Sequence, residues 1–302
     1  MKATVATTVL AQSEMEEKGT MAVLTDLVKA RLTSLVLLTT MVGFYAGSRN
    51  SVDSWLMAHA TIATGLLACG AAALNQLLER NHDALMRRTE SRALPSGRLT
   101  PDQVLVIGGT LSAAGLAYLA LLVNPLTAFL GAITLVSYLF VYTPLKRVTT
   151  LNTAIGAIPG ALPPLMGWTA AQGTLSVQGW SLFAILFFWQ LPHFLAIAWM
   201  YREDYARGGF KMLPIVDPQG ERTGRQALSH SLGLLPVSLF PSLLGLSGML
   251  YFFGALLLGI IFVGFAVQFA RAKDIKTARA LFIASIIYLP LLLGLLVFDK
   301  LK

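Results

Sequence analysis

The chain has 302 residues, of which 55% are hydrophobic and only 13% charged, and its mean hydropathy of +0.67 excludes a soluble globular protein in favour of an integral membrane one. The formal net charge of +8 comes from Lys and Arg gathered in loops on one side of the apolar segments, so it reports topology and gives no ground for nucleic-acid binding. A single cysteine, Cys69, excludes an intrachain disulfide and reads as a small packed apolar side chain.

Residues 1–31 read as a polar cytoplasmic tail too short to fold alone. The tail lacks an apolar stretch with a cleavage site, and Glu14, Glu16 and Glu17 do not suit an Arg-rich transit peptide. The remainder, 32–302, reads as one all-α transmembrane domain. Apolar segments of bilayer-crossing length fall near 32–48, 55–78, 103–123, 125–142, 152–171, 179–200, 229–246, 249–270 and 280–298. The uncharged junctions at Asn124-Pro125 and Ser247-Gly248 are too short for anything but antiparallel neighbours. In the fifth segment Pro159, Pro163 and Pro164, with Gly156, Gly160 and Gly167, predict a kinked or broken helix and an opening that suits a bulky flat substrate. Nine crossings put the termini on opposite sides. With the N-terminus cytoplasmic, twenty of the 23 Lys and Arg face the cytoplasm, and only Arg49, Lys300 and Lys302 face the other side.

The second segment runs into NQLLERNHDALMRRTESRALP, where Asn75, Glu79 and Asp83 stand at i, i+4 and i+8 and share one helix face. A line of oxygen ligands fits a Mg2+-bridged phosphate site; it also fits a solvated helix end whose acids pair with Arg80, Arg87 and Arg88. A second acidic pair, Glu203 and Asp204, follows the sixth segment on the same side, which favours the phosphate site. Arg87, Arg88, Arg92, Lys146, Arg147 and Arg207 supply cations for it, or act as topology-setting loop residues. Within the sixth segment, WQLPHFLAIAW carries His193 deep in an apolar run. If that helix continues, His193 and Asp204 lie on nearly one face, about 16 Å apart. His193 then lines a functional cavity or makes a neutral structural hydrogen bond. His59, His82 and His230 attract no role.

These stretches carry a resemblance. Asn75, Glu79 and Asp83 match an N-x-x-x-D-x-x-x-D motif with Glu in the middle place, followed by Met86-Arg87-Arg88-Thr89 and Arg92. YTPLKRVTTLN, from Tyr142 to Asn152, then PHFLAIAW and DYARGGFKMLP complete the pattern. Over nearly all nine segments the chain resembles the protoheme IX farnesyltransferase (heme O synthase) branch of the UbiA-type intramembrane prenyltransferases. It departs from the superfamily's D-x-x-x-D motif, having Tyr201 and Tyr205 with Glu203 and Asp204 between them, and it has Ala93 and Lys211 where the branch commonly has proline.

The resemblance implies a nine-helix bundle in a bacterial inner membrane, with a periplasmic C-terminus, that transfers farnesyl from farnesyl diphosphate to a vinyl group of heme B. Water captures the resulting cation. It implies Asn75, Glu79, Asp83, Asp204 and His193 as catalytic residues, and Asn75, Glu79, Asp83, Glu203 and Asp204 around Mg2+. Substrate contacts are implied for Arg87, Arg88, Arg92, Lys146, Arg147, Tyr142, Tyr205 and Arg207, with an apolar tunnel for the farnesyl chain. Partners expected are the lipid bilayer and heme A synthase or terminal-oxidase assembly proteins. The competing expectations are a prenyltransferase acting on a quinone precursor or chlorin, a secondary transporter, and a heme-binding assembly factor without a divalent metal.

Overall fold

Helix starts coincide with side chains that satisfy otherwise orphaned amides. Asp53 accepts from Leu56, Asn124 from Thr127, Ser176 from Gly179 and Asp274 from Thr277, while Thr100 and Gln103 form a reciprocal capping box ahead of Pro101. The computed structural model describes residues 19–49 and 51–301; the first 18 residues of the expected tail and Lys302 lie outside the described residues. The helices are α1 Thr20–Leu27, α2 Ala30–Gly47, α3 Ser54–Asp83, α4 Pro101–Leu122, α5 Pro125–Leu145, α6 Asn152–Gln172 and α7 Val177–Met200. After them come α8 Arg202–Arg207, α9 Leu213–Val216, α10 Glu221–Val237, α11 Phe240–Leu243, α12 Met249–Ala272 and α13 Ile275–Phe298.

Each apolar segment read from the sequence overlaps a long helix. Seven of these, α2, α3, α4, α5, α7, α12 and α13, are long and apolar enough to cross a membrane. Two are not: α6 is rich in proline and glycine, and the 17 residues of α10 include Glu221, Arg222 and Arg225. Helix α6 is the hub, packing on α2, α3, α5 and α7, while α7 carries α10 and α13 on its other sides.

Contrary to expectation, α6 is not broken: it is helical from Asn152 to Gln172 through all three prolines. Nor is there an opening beside them, since every residue from 161 to 170 is buried. Close approach to α2 explains the burial. A Cβ on Gly43 would stand 2.0 Å from the Pro164 carbonyl oxygen and one on Gly167 2.0 Å from that of Thr40, so only glycine permits this contact. Gln190 of α7 donates to the Ala157 carbonyl, and Asn124 to that of Thr169.

Two local features escape the sequence pattern. Ser137–Tyr142 forms a π-helical turn inside α5, whose wider ring is bridged by Thr143 Oγ1 donating to the Tyr138 carbonyl at 2.8 Å. Helix α7 ends at Met200, and Tyr201 (φ −113°, ψ 24°) begins a new direction into α8. His193 and Asp204 therefore share no continuous helix, and the 16 Å rise and common face expected of one helix do not follow.

The first and last long helices are joined at the end of the bundle remote from these loops. Lys300 Nζ donates to the carbonyls of Tyr45 and Ser48 at the end of α2, and Leu301 donates to Leu246. Asp299 meanwhile accepts from the Tyr251 and Gly248 amides.

Candidate active site

The last turns of α3 place Asn75, Glu79 and Asp83 on one face, with only 0%, 6% and 1% of their surfaces exposed. They do not form a solvated helix end, and their partners are not Arg80, Arg87 and Arg88. Glu79 Oε1 pairs with Lys146 Nζ at 2.8 Å, and Asp83 Oδ2 with Arg92 Nη1 at 2.7 Å. Asn75 Nδ2 donates to Thr143 Oγ1 at 3.1 Å. The π-helical turn thus matters to the site, because it presents Thr143 and, one turn on, Lys146 to α3. Lys146 also lies over the Tyr142 ring, 4.5 Å from its centroid.

Lys29 is the member that sequence reasoning missed. It joins α1 to α2 in the left-handed conformation (φ 49°, ψ 54°) and donates to Asn75 Oδ1 at 2.8 Å. Holding a non-glycine residue there costs roughly 1–2 kcal/mol. Burial and the neighbouring Arg92 guanidinium push its ammonium down to about 7. What lies beyond residue 18 of the expected tail is thus part of the site: Val23 and Leu27 are buried, and Gln76 Nε2 holds the Leu27 carbonyl at 2.7 Å. Lys29→Gly removes the cation while suiting the backbone, so stability should change by no more than about 1 kcal/mol. Affinity for diphosphate with Mg2+, measured by calorimetry, should fall about tenfold or more with the loss of a charge-assisted hydrogen bond. Unchanged affinity would leave Lys29 a purely structural strut.

The loops over this end of the bundle are tied together. Lys211 N–H donates to the Lys146 carbonyl at 2.7 Å, Asn152 Nδ2 to the Lys211 carbonyl at 3.0 Å, and Met86 packs with Ala198, Phe210 and Met212. Asp204 clamps the loop after α3: its oxygens accept from the Arg87 and Arg88 amides at 3.0 and 3.2 Å and from the Arg207 guanidinium. Burial alone would raise its pKa, but Arg207 and the Arg88 and Arg87 amides outweigh burial and hold its carboxyl below the usual carboxylate range. Glu203 is exposed. Arg88 donates to the Tyr205 hydroxyl at 3.3 Å. His82, given no role from sequence, links three elements: Nδ1 bonds the Gly208 carbonyl at 2.8 Å, and Nε2 meets Arg147 Nη1 at 3.1 Å. Its position three residues after Glu79 was the available signal.

A divalent cation fits the α3 face. Asp83 Oδ1 is buried and has no hydrogen-bond partner, an arrangement that costs free energy unless something binds there. Among the described residues no three His, Cys, Asp or Glu side chains are grouped closely enough to hold an ion by themselves. That suits Mg2+, which completes its shell with water and substrate phosphate. Beside Glu79 a cavity of about 100 Å³ is lined by His82, Thr143, Arg147 and Phe210, room for a few waters and far less than a farnesyl chain fills.

His193 sits elsewhere, between α7 and α13. Its ring stacks on Trp189 and tilts against Phe282, with centroids 5.1 and 5.0 Å away, and Nδ1 lies 2.7 Å from Ser285 Oγ.

Comparison with known proteins adds the following. The sequence profile of the UbiA prenyltransferase family matches residues 36–289. A protoheme IX farnesyltransferase of Solibacter usitatus is 50% identical over 285 residues, 91% of this chain and 97% of that protein. The protoheme IX farnesyltransferase of Koribacter versatilis is 42% identical over 285 residues, 91% and 92% of the two chains. In fold, the chain is similar to a structure described as digeranylgeranylglyceryl phosphate synthase in membranes (TM-score 0.78, 15% identity, 92% of this chain and 98% of that one). It is also similar to a UbiA homolog from Archaeoglobus fulgidus bound to GPP and Mg2+ (TM-score 0.64, 13% identity, 91% and 99%).

Proposed function

The chain belongs to the UbiA prenyltransferase family, and from that premise we propose that it is a multi-pass membrane enzyme transferring the farnesyl group of farnesyl diphosphate to a vinyl group of heme B, with water addition, to give heme O and diphosphate. The reading is carried by one observation: the buried line of Asn75, Glu79 and Asp83, with Asp83 Oδ1 unpartnered and Lys29, Lys146 and Arg92 bonded around it.

Asn75, Glu79 and Asp83 are the residues that would hold Mg2+, whose charge, when bound, allows diphosphate to lie against carboxylates and leave as an anion. Lys29, Lys146 and Arg92 surround that position and meet the negative charge that grows on the leaving group as the allylic carbon–oxygen bond breaks. The electron-rich vinyl group then attacks the allylic carbon, and water captures the cation formed on the porphyrin side. Asp204, with its oxygens engaged, acts by holding the Arg87–Arg88 backbone rather than by meeting the ion. Incubation of the purified protein with heme B, farnesyl diphosphate and Mg2+ should add the mass of a hydroxylated farnesyl group to the extracted heme. A prenylated quinone precursor or chlorin with unchanged heme would replace this acceptor by another.

The loop cations support a reading in which this site faces the cytoplasm of a bacterial cell, with the N-terminus on the same side and nine crossings when α6 and α10 are counted as spans. A reporter fused to the C-terminus should then behave as periplasmic. Cytoplasmic reporter activity from a folded fusion would eliminate the odd number of crossings.

A further inference from the structure

A depression of about 540 Å³ lies across the loop after α3 from the buried acids, and its walls include Arg87, Arg88, Arg202, Arg207, Trp199 and Tyr201. Four guanidinium groups face two carboxylates, Glu203 and Asp204, which leaves a surplus of two positive charges. Among the described residues the one ion pair in this basin joins Asp204 to Arg207. Two of the other three guanidiniums lie over rings. Arg88 lies over Tyr201 and Tyr205, 5.5 and 5.4 Å from their centroids, and Arg202 over Trp199 at 4.6 Å. A ring beneath a guanidinium restrains it and leaves N–H groups for an oxygen acceptor, although one nitrogen of Arg88 already donates to the Tyr205 hydroxyl.

The basin also has a direction. Met200 and Ile275, at the loop ends of α7 and α13, contribute to it. Seven residues inward on each helix, two turns and about 10 Å along nearly the same face, stand His193 and Phe282, which pack against each other. Two helices thus carry one track from a dication-rich mouth to an aromatic-flanked imidazole. Such a track suits a flat molecule with two carboxylates on one edge and an apolar body. It suits diphosphate poorly, because Asp204 is already engaged and the α3 acids lie on the other side of the loop.

We propose that this basin receives the carboxylate edge of the porphyrin acceptor, with Arg88 and Arg202 each meeting one propionate. The assignment rests on the farnesyl-transfer reading above and adds Arg202 and Trp199 to the site. The donor diphosphate and the acceptor carboxylates then enter on opposite sides of one loop, and the Asp204 clamp sets the spacing between them.

The test uses iron-free protoporphyrin IX and its dimethyl ester, titrated by fluorescence into the full-length protein in phosphatidylcholine nanodiscs. The wild type should bind the dicarboxylate at least about tenfold more tightly than the ester. The double variant Arg88→Gln/Arg202→Gln should bind both alike, at the wild type's affinity for the ester, while keeping Mg2+-dependent farnesyl diphosphate binding. Should that variant fail to fold, Arg202→Gln alone is expected to remove about half of the preference on a logarithmic scale. A preference that persists in the variants overturns the assignment, as does loss of farnesyl diphosphate binding in its place. Displacement of the porphyrin by short-chain phosphatidylglycerol would give the basin to a lipid headgroup and equally overturn it. Absence of porphyrin binding by the wild type would sink the farnesyl-transfer reading along with the basin.

Discussion

Replacing Asp83 by Asn is expected to lower farnesyl transfer by about 10³-fold or more while leaving a folded protein that still binds heme. The substitution keeps the shape of the side chain and removes one charge from the position where an ion and a leaving group must be balanced, and losing a single preorganised group at such a position commonly costs about 10²–10³ in rate. Here the loss is compounded, because Asp83 carries both the unpartnered Oδ1 and the pair to Arg92. The structural cost is smaller. Arg92 keeps 23% of its side chain exposed, so water replaces part of the lost interaction and the fold should lose about 1–3 kcal/mol. Turnover, thermal unfolding and Mg2+-dependent diphosphate binding separate the two effects. Wild-type turnover in a folded variant would take the α3 acids out of the chemistry.

His193→Ala should shift the absorption spectrum of bound heme and weaken heme affinity by at least about tenfold, with Mg2+-dependent farnesyl diphosphate binding near wild type. The hydrogen-bond network sets up this outcome. Ser285 Oγ lies within hydrogen-bond reach of both the Phe282 carbonyl and His193 Nδ1; when its single proton goes to the carbonyl, it accepts from Nδ1, which then carries the imidazole proton. Nε2 is left with its lone pair, the arrangement found when an imidazole ligates iron and its other nitrogen is held by a hydrogen bond. Ring stacking on Trp189 and Phe282 fixes the plane. An unaltered spectrum with normal heme affinity would exclude ligation. A large turnover defect alongside that result would make the imidazole a proton carrier when water traps the final cation.

The acids of α3 were legible in the sequence because helical period converts spacing directly into a shared face, and α3 holds that period through Asp83. The Asn124-Pro125 junction was legible for the same reason: its signal is local. Lys29 was not, since its reach to Asn75 depends on a left-handed turn stabilised by tertiary contacts, at a position that reads as an ordinary loop cation. The end of α7 at Met200 has no proline or glycine to announce it, so a helix extrapolated to Asp204 looked reasonable and was wrong. Prolines misled in the opposite sense in α6. Gly43 and Gly167 let α2 press against the helix and bury the face around Pro163 and Pro164, and nothing within α6 itself reports that neighbour. The clamp by Asp204 was hidden because its partners are backbone amides more than a hundred positions away in the chain.

Lys300 follows the two carbonyls it caps by 255 and 252 residues. The end of α2 is therefore made, and enters the bilayer, long before the residue that satisfies it exists. Until α13 has been synthesised and inserted, the Ser48 carbonyl must draw on water or lipid headgroups, and that of Tyr45 has only the Ser48 amide. Joining of α13 to α2 is thus a late step in biogenesis, and a nascent chain stalled before Asp299 would present an unsealed seam between its first and last long helices.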